Sequence, residues 1–154
     1  MRFCMVTGKA SSELSFGIDA EKSEYDEIKL RLRDAIKQLV LQGVEGFLCS
    51  CEYGIPLWTA EIILELKKNR DLFLCIVMPY EEQATNWSEE IRDRFFAIHE
   101  FADQVVMLQT QYSDICYFRA DMYMLDHADI LLTDDEESII TREARRREIG
   151  VVMF

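Results

Sequence analysis

The chain has 154 residues, of which 29 are acidic and 17 are lysine or arginine, so its formal net charge is −12. This charge repels polyanions and argues against nucleic acid as a partner. With 49% hydrophobic residues, two prolines and six glycines, the composition is that of a packed globular protein and excludes a disordered segment, so we expect a single domain over residues 1–154.

Short apolar runs alternate with longer segments of helical period along the chain. The predicted strands are Arg2–Val6, Glu45–Cys49, Leu72–Met78, Gln104–Leu108, Ile130–Thr133 and Val151–Phe154. The predicted helices are Glu24–Gln42, a segment from near Pro56 that ends in Lys67, Lys68 and Arg70, then Ser88–Glu100, Ile115–His127 and Glu137–Glu148. This order predicts an α/β fold, a doubly wound, Rossmann-like three-layer sandwich with a mainly parallel sheet of about six strands.

Apolar stretches are too short to indicate a membrane partner or a signal peptide. None approaches the roughly 20 residues of a membrane span, and the apolar run near the start of the sequence is short. We therefore expect an intracellular, cytoplasmic protein.

Five cysteines are present, an odd number, and Cys4, Cys49 and Cys75 lie inside apolar runs. This pattern predicts reduced, buried thiols. Cys49 and Cys51 form a C-x-C pair, but no second pair follows at the spacing of a zinc site, so no metal and no cofactor is predicted.

In doubly wound sheets, ligands bind at the carboxyl ends of the strands, so function is expected in the loops that follow them. These loops are Val6–Gly17, Ser50–Trp58, Met78–Trp87, Gln109–Cys116 and Thr133–Ser138. Gly8 and Lys9 follow the first strand directly and are suited to a phosphate, although a strand-ending turn with a solvated lysine is an equal alternative. The sequence contains neither a G-x-G-x-x-G fingerprint nor a P-loop.

Acidic residues in two of these loops oppose an anionic ligand. Glu52 stands beside a helix start, and residues 134–137 are all Asp or Glu where a phosphate would need amides or cations. A divalent metal at that acidic run is the minority alternative. Trp87 is able to stack on a base, but it also fits a hydrophobic staple before a helix. His99 and His127 have no neighbouring nucleophile, so no catalytic triad is predicted.

Several motifs together resemble the SLOG superfamily and, within it, the bacterial YpsA-like branch of Rossmann-like proteins. The resemblance covers nearly the whole chain and is specific only when the motifs are taken jointly. They are V-T-G at Val6–Gly8, G-x-x-L-W-x-A-E at Gly54–Glu61, P-x-E-x-Q-x-x-x-W at Pro79–Trp87, W-S-E-E at Trp87–Glu90 and Y-M-x-D-H-x-D at Tyr123–Asp129.

This resemblance implies a pocket for a nucleotide or a nucleotide-derived ligand, with relatives that include cytokinin-releasing phosphoribohydrolases, a molybdenum-cofactor carrier and the DNA-processing protein DprA. The chain departs from the family at several places. Gly8, Lys9, Ala10 and Ser11 replace G-H-R-P, Ser50 and Pro56 replace a glycine and a later aspartate, Asp134–Glu137 replaces a glycine-glycine-threonine loop, and Asp121 and Met122 replace an asparagine and a basic residue. The phosphate site is therefore expected to be degenerate.

These departures favour a non-catalytic ligand-sensing or interaction module that binds a nucleotide-like or less anionic ligand, or none. The expected ligand-binding residues are Thr7, Gly8, Lys9, Ser50, Glu52, Gly54, Trp58, Glu61, Pro79, Trp87, Asp121 and Tyr123. One alternative is an enzyme acting on a nucleotide or nucleoside-derived substrate, with Glu61 or Asp126 as the acid or base and Lys9 near a phosphate. Another is a protein-binding role of an outer face, and the sequence leaves a homo-oligomer open.

Overall fold

The computed structural model describes residues 1–9 and 25–154. Within these ranges the strands are β1 (Phe3–Val6), β2 (Gly46–Cys49), β3 (Phe73–Met78), β4 (Gln104–Met107), β5 (Ile130–Thr133) and β6 (Gly150–Met153). The helices between them are α1 (Asp26–Leu41), α2 (Ile55–Leu66), α3 (Glu89–Phe101), α4 (Cys116–Asp126) and α5 (Ile139–Arg146). Each predicted strand and helix is present. Glu24 and the first-loop residues 10–17 lie outside the described residues.

The six strands form one parallel sheet in the order β4-β3-β2-β1-β5-β6. β1 lies in the middle, with Met5 paired to Leu48 of β2 and to Leu131 of β5. The prediction of a doubly wound, mainly parallel sheet is therefore confirmed. Continuous apolar runs form such a sheet because both of its faces are covered by helices.

The two faces of the sheet carry separate hydrophobic clusters, since neighbouring residues of a strand point to opposite sides. Cys4 and Val6 belong to a large cluster that also includes buried residues of α1, α2 and α3. Met5 belongs to a smaller cluster with residues of α4 and α5. The three-layer arrangement predicted from the sequence follows directly from this alternation.

α2 is the central helix of the larger cluster, and its residues from Ile55 to Ala60 are all buried. It begins after Gly54, whose φ of 110° is a conformation that side chains rarely adopt. Pro56 occupies its first turn, where a missing backbone N–H has no cost. The helix ends at Leu66, before the predicted Arg70, and Lys67 is its C-cap, with the side-chain Nζ donating to the Leu72 carbonyl at 2.6 Å.

Serine side chains cap two helices. Ser88 accepts a hydrogen bond from the Ile91 amide at 3.4 Å, which confirms the predicted N-cap of α3. Ser138 accepts from the Thr141 amide at 3.0 Å, so α5 begins after Ser138 and not at Glu137 as predicted. A serine oxygen satisfies an amide of the first helical turn that has no partner within the helix.

All five cysteines are free and buried, as expected for Cys4, Cys49 and Cys75. Burial raises the pKa of Cys4 and of Cys49 to about 12, because the charged thiolate is poorly solvated there. Across the ranges that the structure covers, no helix is both long and apolar enough to cross a membrane.

Candidate functional site

The direction of the strand order reverses between β1 and β5, and we call the space outside the carboxyl ends of these two strands the crevice. The chain runs outward from β1 to β4 and then returns to β5 on the other side of β1. The loops after β1 and β5 therefore leave the sheet in opposite directions, and ligands of doubly wound proteins bind at such a point. The first of these loops contributes Thr7–Lys9 and the second begins at Asp134.

Gly8 lies where the first, second and last of the predicted loops converge. A β-carbon on Gly8 would be 2.5 Å from Ile55 Cδ1 and 2.9 Å from Asp134 Oδ1, closer than carbon atoms of side chains approach other atoms. Glycine is therefore needed here for close packing. Thr7, Gly8 and Lys9 thus lie at the crevice, and Gly54 lies directly before Ile55.

The Asp134 carboxylate is hydrogen-bonded to the backbone of the first loop. Its Oδ1 accepts a hydrogen bond from the Lys9 amide at 3.3 Å. The carboxylate is partly buried, and desolvation raises its pKa above the ordinary value, whereas the Lys9 amide and the Lys9 charge lower it. An amide directly after the first strand is the kind of group that holds a phosphate in related folds. In this structure the Lys9 amide donates to the Asp134 carboxylate instead.

The other acidic side chains of the last loop have partners in the same region. Glu136 pairs with Arg145 at 3.1 Å and Glu137 with Arg142 at 3.3 Å. Asp135 accepts a hydrogen bond from the Glu137 amide at 3.2 Å. The negative charge at the crevice is therefore smaller than that of four free carboxylates, and Asp134 contributes most directly to it.

The second loop is a tight turn between β2 and α2. Cys51 has a φ of 61° in this turn, which is uncommon for a residue other than glycine. The backbone amide of Glu52 donates to Ser50 Oγ at 3.4 Å, and the carbonyl of Glu52 accepts from the Leu57 amide at 3.0 Å. The turn thereby fixes Ser50 and Glu52 beside the start of α2.

Glu52 and Asp121 form a pair of neighbouring carboxyl groups. Asp121 lies on the second turn of α4 and is partly buried. Desolvation, and then the charge of Glu52, raises the pKa of Asp121 to about 7. Two carboxyl groups close together in a poorly solvated place do not both ionise easily.

Three tyrosines form a cluster, and one of them, Tyr117, lies near Glu52. The ring of Tyr80 meets that of Tyr112 at a centroid distance of 5.5 Å and that of Tyr117 at 6.2 Å, both edge to face. Desolvation, the charge of Glu52 and a hydrogen bond with Tyr80 raise the pKa of Tyr117 above its ordinary value. Tyr117 therefore stays neutral and is able to donate a hydrogen bond.

The third loop contacts the second through Gln83. This side chain is 3% exposed, and its Nε2 donates to the Ser50 carbonyl at 3.3 Å. Its Oε1 has no hydrogen-bond partner among the described residues. Pro79, at the start of the loop, is buried. Trp87, at its end, packs edge to face on Phe95 of α3 at 5.3 Å. Phe95 lies beyond the first turn of α3, so this contact is not the predicted hydrophobic staple, which joins the residue before the N-cap to the fourth helical residue.

Trp58 lies in the core and not on the crevice surface. It is 2% exposed, with its ring 5.1 Å from that of Tyr25 and 6.1 Å from that of Tyr53. The Lys29 ammonium lies 5.0 Å from the Trp58 ring centroid, a cation–π distance. Trp58 therefore packs against the second loop from the core, through Tyr53.

Tyr123 lies toward the amino edge of the sheet. It stacks on His127 at 4.4 Å and shares a shallow groove with Phe3 and Phe73, which begin their strands. Because ligands are expected at the opposite edge, the structure does not bring Tyr123 to the crevice.

The two carboxylates considered as an acid or base both form ion pairs. Arg94 binds Glu61 through two hydrogen bonds, of 3.1 and 2.5 Å, and Arg147 pairs with Asp126 at 2.6 Å. Both carboxylates are therefore engaged by arginine side chains in this structure. In the described part of the chain, no group of three or more His, Cys, Asp or Glu side chains is arranged to hold a metal ion.

Sequence reasoning missed Tyr80, Gln83 and Tyr117. Tyr80 follows the end of β3 by two residues, and Tyr117 lies four residues before Asp121 on α4. The strand-end rule and the helical spacing of four therefore contained the signal for both tyrosines. Gln83 is the glutamine of the P-x-E-x-Q-x-x-x-W motif, and that motif was the signal for it.

A family model and individual relatives both match most of this chain. The model of a family named YpsA, described as "YspA SLOG family", matches residues 4–144. UPF0398 proteins of Staphylococcus aureus strains JH9, Mu3 and NCTC 8325 are each 34% identical over 138 residues, which is 86% of this chain and 73% of each relative. These names state neither a ligand nor a reaction.

Proposed function

Because the chain belongs to the YpsA family of SLOG proteins, we propose that it is a non-catalytic ligand-sensing or interaction module whose crevice takes a ligand less anionic than a nucleotide. The observation that carries this proposal is the hydrogen bond from the Lys9 amide to Asp134, at 3.3 Å. A phosphate entering the crevice has to displace this carboxylate or meet its charge. The internal acidic group thus takes the place of an external anion.

Electrostatics at the crevice supports the same conclusion. Asp134 and Glu52 are acidic residues of the loops after β5 and β2, whereas the described part of the first loop contributes one cation, the exposed Lys9. Two like charges 4 Å apart repel by about 1 kcal/mol in water and about 4 kcal/mol near a protein surface. A diphosphate therefore meets a repulsion that one exposed lysine does not offset.

Hydrogen-bond acceptors predominate among the groups of these loops. The carboxylates of Glu52 and Asp134 and the unpartnered Oε1 of Gln83 all accept hydrogen bonds. A ligand with several N–H or O–H donors and no phosphate complements them. A nucleoside satisfies this description better than its phosphorylated forms do.

Calorimetry on a nucleoside series tests the proposal. We expect the unmodified protein to bind adenosine more tightly than AMP, ADP, ATP or NAD. Asp134→Asn removes one charge without changing the shape of the side chain and should strengthen ADP binding about tenfold. Asp135→Asn is the matched control, because Asp135 binds the Glu137 amide instead of the first loop. Micromolar ATP or NAD binding by the unmodified protein, or equal effects of the two variants, contradicts the proposal.

A second candidate function is hydrolysis of a nucleoside-derived substrate. The observation in its favour is the pair formed by Glu52 and Asp121, in which the pKa of Asp121 is about 7. A carboxyl group whose pKa lies near neutrality beside a second carboxyl group suits general acid–base chemistry. Release of free base from nucleosides, lost in Asp121→Asn and kept in Glu61→Gln, would support hydrolysis. If no free base is released from any nucleoside or nucleotide, the hydrolysis hypothesis is wrong and the non-catalytic module remains the proposed function.

A further inference from the structure

β4 is an outer strand of the sheet, and one of its sides is unpaired. On the inner side it pairs with β3, and the Leu108 amide just after it donates to the Met78 carbonyl at 3.1 Å. Since backbone groups alternate in direction along a strand, the N–H and C=O groups of Val105 and Met107 point away from the sheet. Within the described residues, no strand pairs with that outer side.

This edge lacks two of the common protections against pairing, charged residues and proline. Natural edge strands carry charged residues or proline, which discourage association with another strand. Residues 104–113 contain neither, although 30% of the residues in the chain are charged. β4 is therefore an uncharged strip on a molecule with a net charge of −12.

Exposed apolar side chains concentrate in the same region. Seven of the twelve large hydrophobic side chains that are exposed in the described part of the chain lie between residues 96 and 118. Val105 is 41% and Met107 49% exposed, and both belong to β4 itself. Val105 and Met107 therefore place exposed apolar surface along the unpaired edge, and exposed apolar surface marks candidate interaction sites.

We propose that two copies of this chain associate through β4, which pairs antiparallel with β4 of the second copy about a two-fold axis at Val106. In this register Val105 lies opposite Met107 of the second copy, and the outward N–H and C=O groups of both residues are all paired. Val106 then lies opposite its own counterpart, so the two sheets form one sheet of twelve strands.

A second copy fits this edge better than a different partner. Two molecules of charge −12 repel each other wherever their charged surfaces meet, and an uncharged strip is where they approach at least cost. A basic partner would be drawn to the acidic surface, and residues 104–113 offer it no charge. Symmetric pairing of one surface patch with itself is the commonest form of protein dimer. This inference does not depend on the proposed function.

Sedimentation equilibrium of the whole chain tests the dimer and its register. We expect the unmodified protein to sediment at twice its 18.1 kDa mass. Val105→Lys or Met107→Glu alone should raise the dimer Kd about tenfold or more, because each places a charge opposite an apolar side chain. The double variant should recover the dimer in low salt, because the new ammonium and carboxylate then face each other across the axis.

Leu41→Lys is the matched control, since Leu41 is 66% exposed on α1, away from β4. This variant should remain dimeric. Circular dichroism melting should show that all variants fold, as each replaces an exposed side chain. A monomeric unmodified protein at 100 µM overturns the inference, as do single variants that stay dimeric. Failure of the double variant to recover the dimer overturns the register.

Discussion

Asp121→Asn tests the environment of the carboxyl group beside Glu52. Burial and the charge of Glu52 raise the pKa of Asp121 from 3.8 to about 7. A carboxyl group whose pKa is higher in the folded state favours folding at low pH, and this contribution is lost as the pH rises from 3.8 through 7. Asparagine has the shape of the protonated side chain and no charge, so the variant avoids that loss.

The expected size follows from the two pKa values. Each pH unit between them corresponds to 1.36 kcal/mol, which gives an upper value of about 4 kcal/mol above pH 7. Water reaches part of the Asp121 carboxyl, so we expect a stabilisation of about 2–4 kcal/mol at pH 8 and about zero at pH 4. In a chain of this length, this corresponds to a rise in Tm of roughly 5–15 °C.

Urea unfolding of the unmodified protein and of Asp121→Asn between pH 4 and pH 9 measures this effect. The difference in the free energy of unfolding should increase with pH and level off above pH 7. Asp114→Asn, at an exposed carboxylate just before α4, should show no such increase. A difference that is independent of pH, or that grows toward low pH, refutes the reasoning.

Three further changes have defined outcomes. Gly8→Ala should lower the free energy of unfolding in urea by about 1–3 kcal/mol, and Ile55→Val should recover part of it by removing the Cδ1 atom 2.5 Å from the new carbon; no recovery would mean that the contact is not the cause. Ser138→Ala should cost about 1 kcal/mol in the same assay, because α5 loses its cap; an unchanged midpoint would speak against it. Cys4 and Cys49 should react with a disulfide reagent no faster than the chain unfolds, since burial raises their thiol pKa to about 12; rapid labelling of the native protein would be inconsistent with it.

The fold was predictable because its strands are continuous apolar runs. The run Ile130–Thr133 was predicted with the bounds that β5 has. Differences occur at the ends of helices, where single side chains decide the boundary. α5 begins after Ser138 and not at Glu137, because the serine oxygen binds the Thr141 amide. A sequence shows several residues that are able to cap a helix, but not which of them turns toward the amides.

The site was predictable in part. The strand-end rule identifies the loop of Gly8 and Lys9, and the structure places Gly8 against Asp134. The prediction that Tyr123 lies at the crevice fails, because helical spacing alone does not tell which end of α4 lies there. The buried position of Trp58 follows from packing between Tyr25 and Tyr53, two residues far apart in the sequence.

The number of acidic residues in the last loop did not show which of them act on the crevice. Residues 134–137 are equally acidic in the sequence, but Glu136 and Glu137 pair with arginines one to two turns along α5. Asp134 turns instead toward the Lys9 amide. The choice depends on the position of β1, which lies beside β5 although it is more than a hundred residues earlier in the chain.

The central position of β1 has a consequence for synthesis of the protein. β1 is made first, but its partner on one side, β5, begins only at Ile130. At about 5–20 residues per second, a ribosome needs several seconds to produce the intervening segment. During that time Met5, which is fully buried in the finished protein, lacks the covering of α4 and α5. The nascent chain therefore presents an open strand edge and an apolar face, both of which a chaperone is able to bind before β5 emerges.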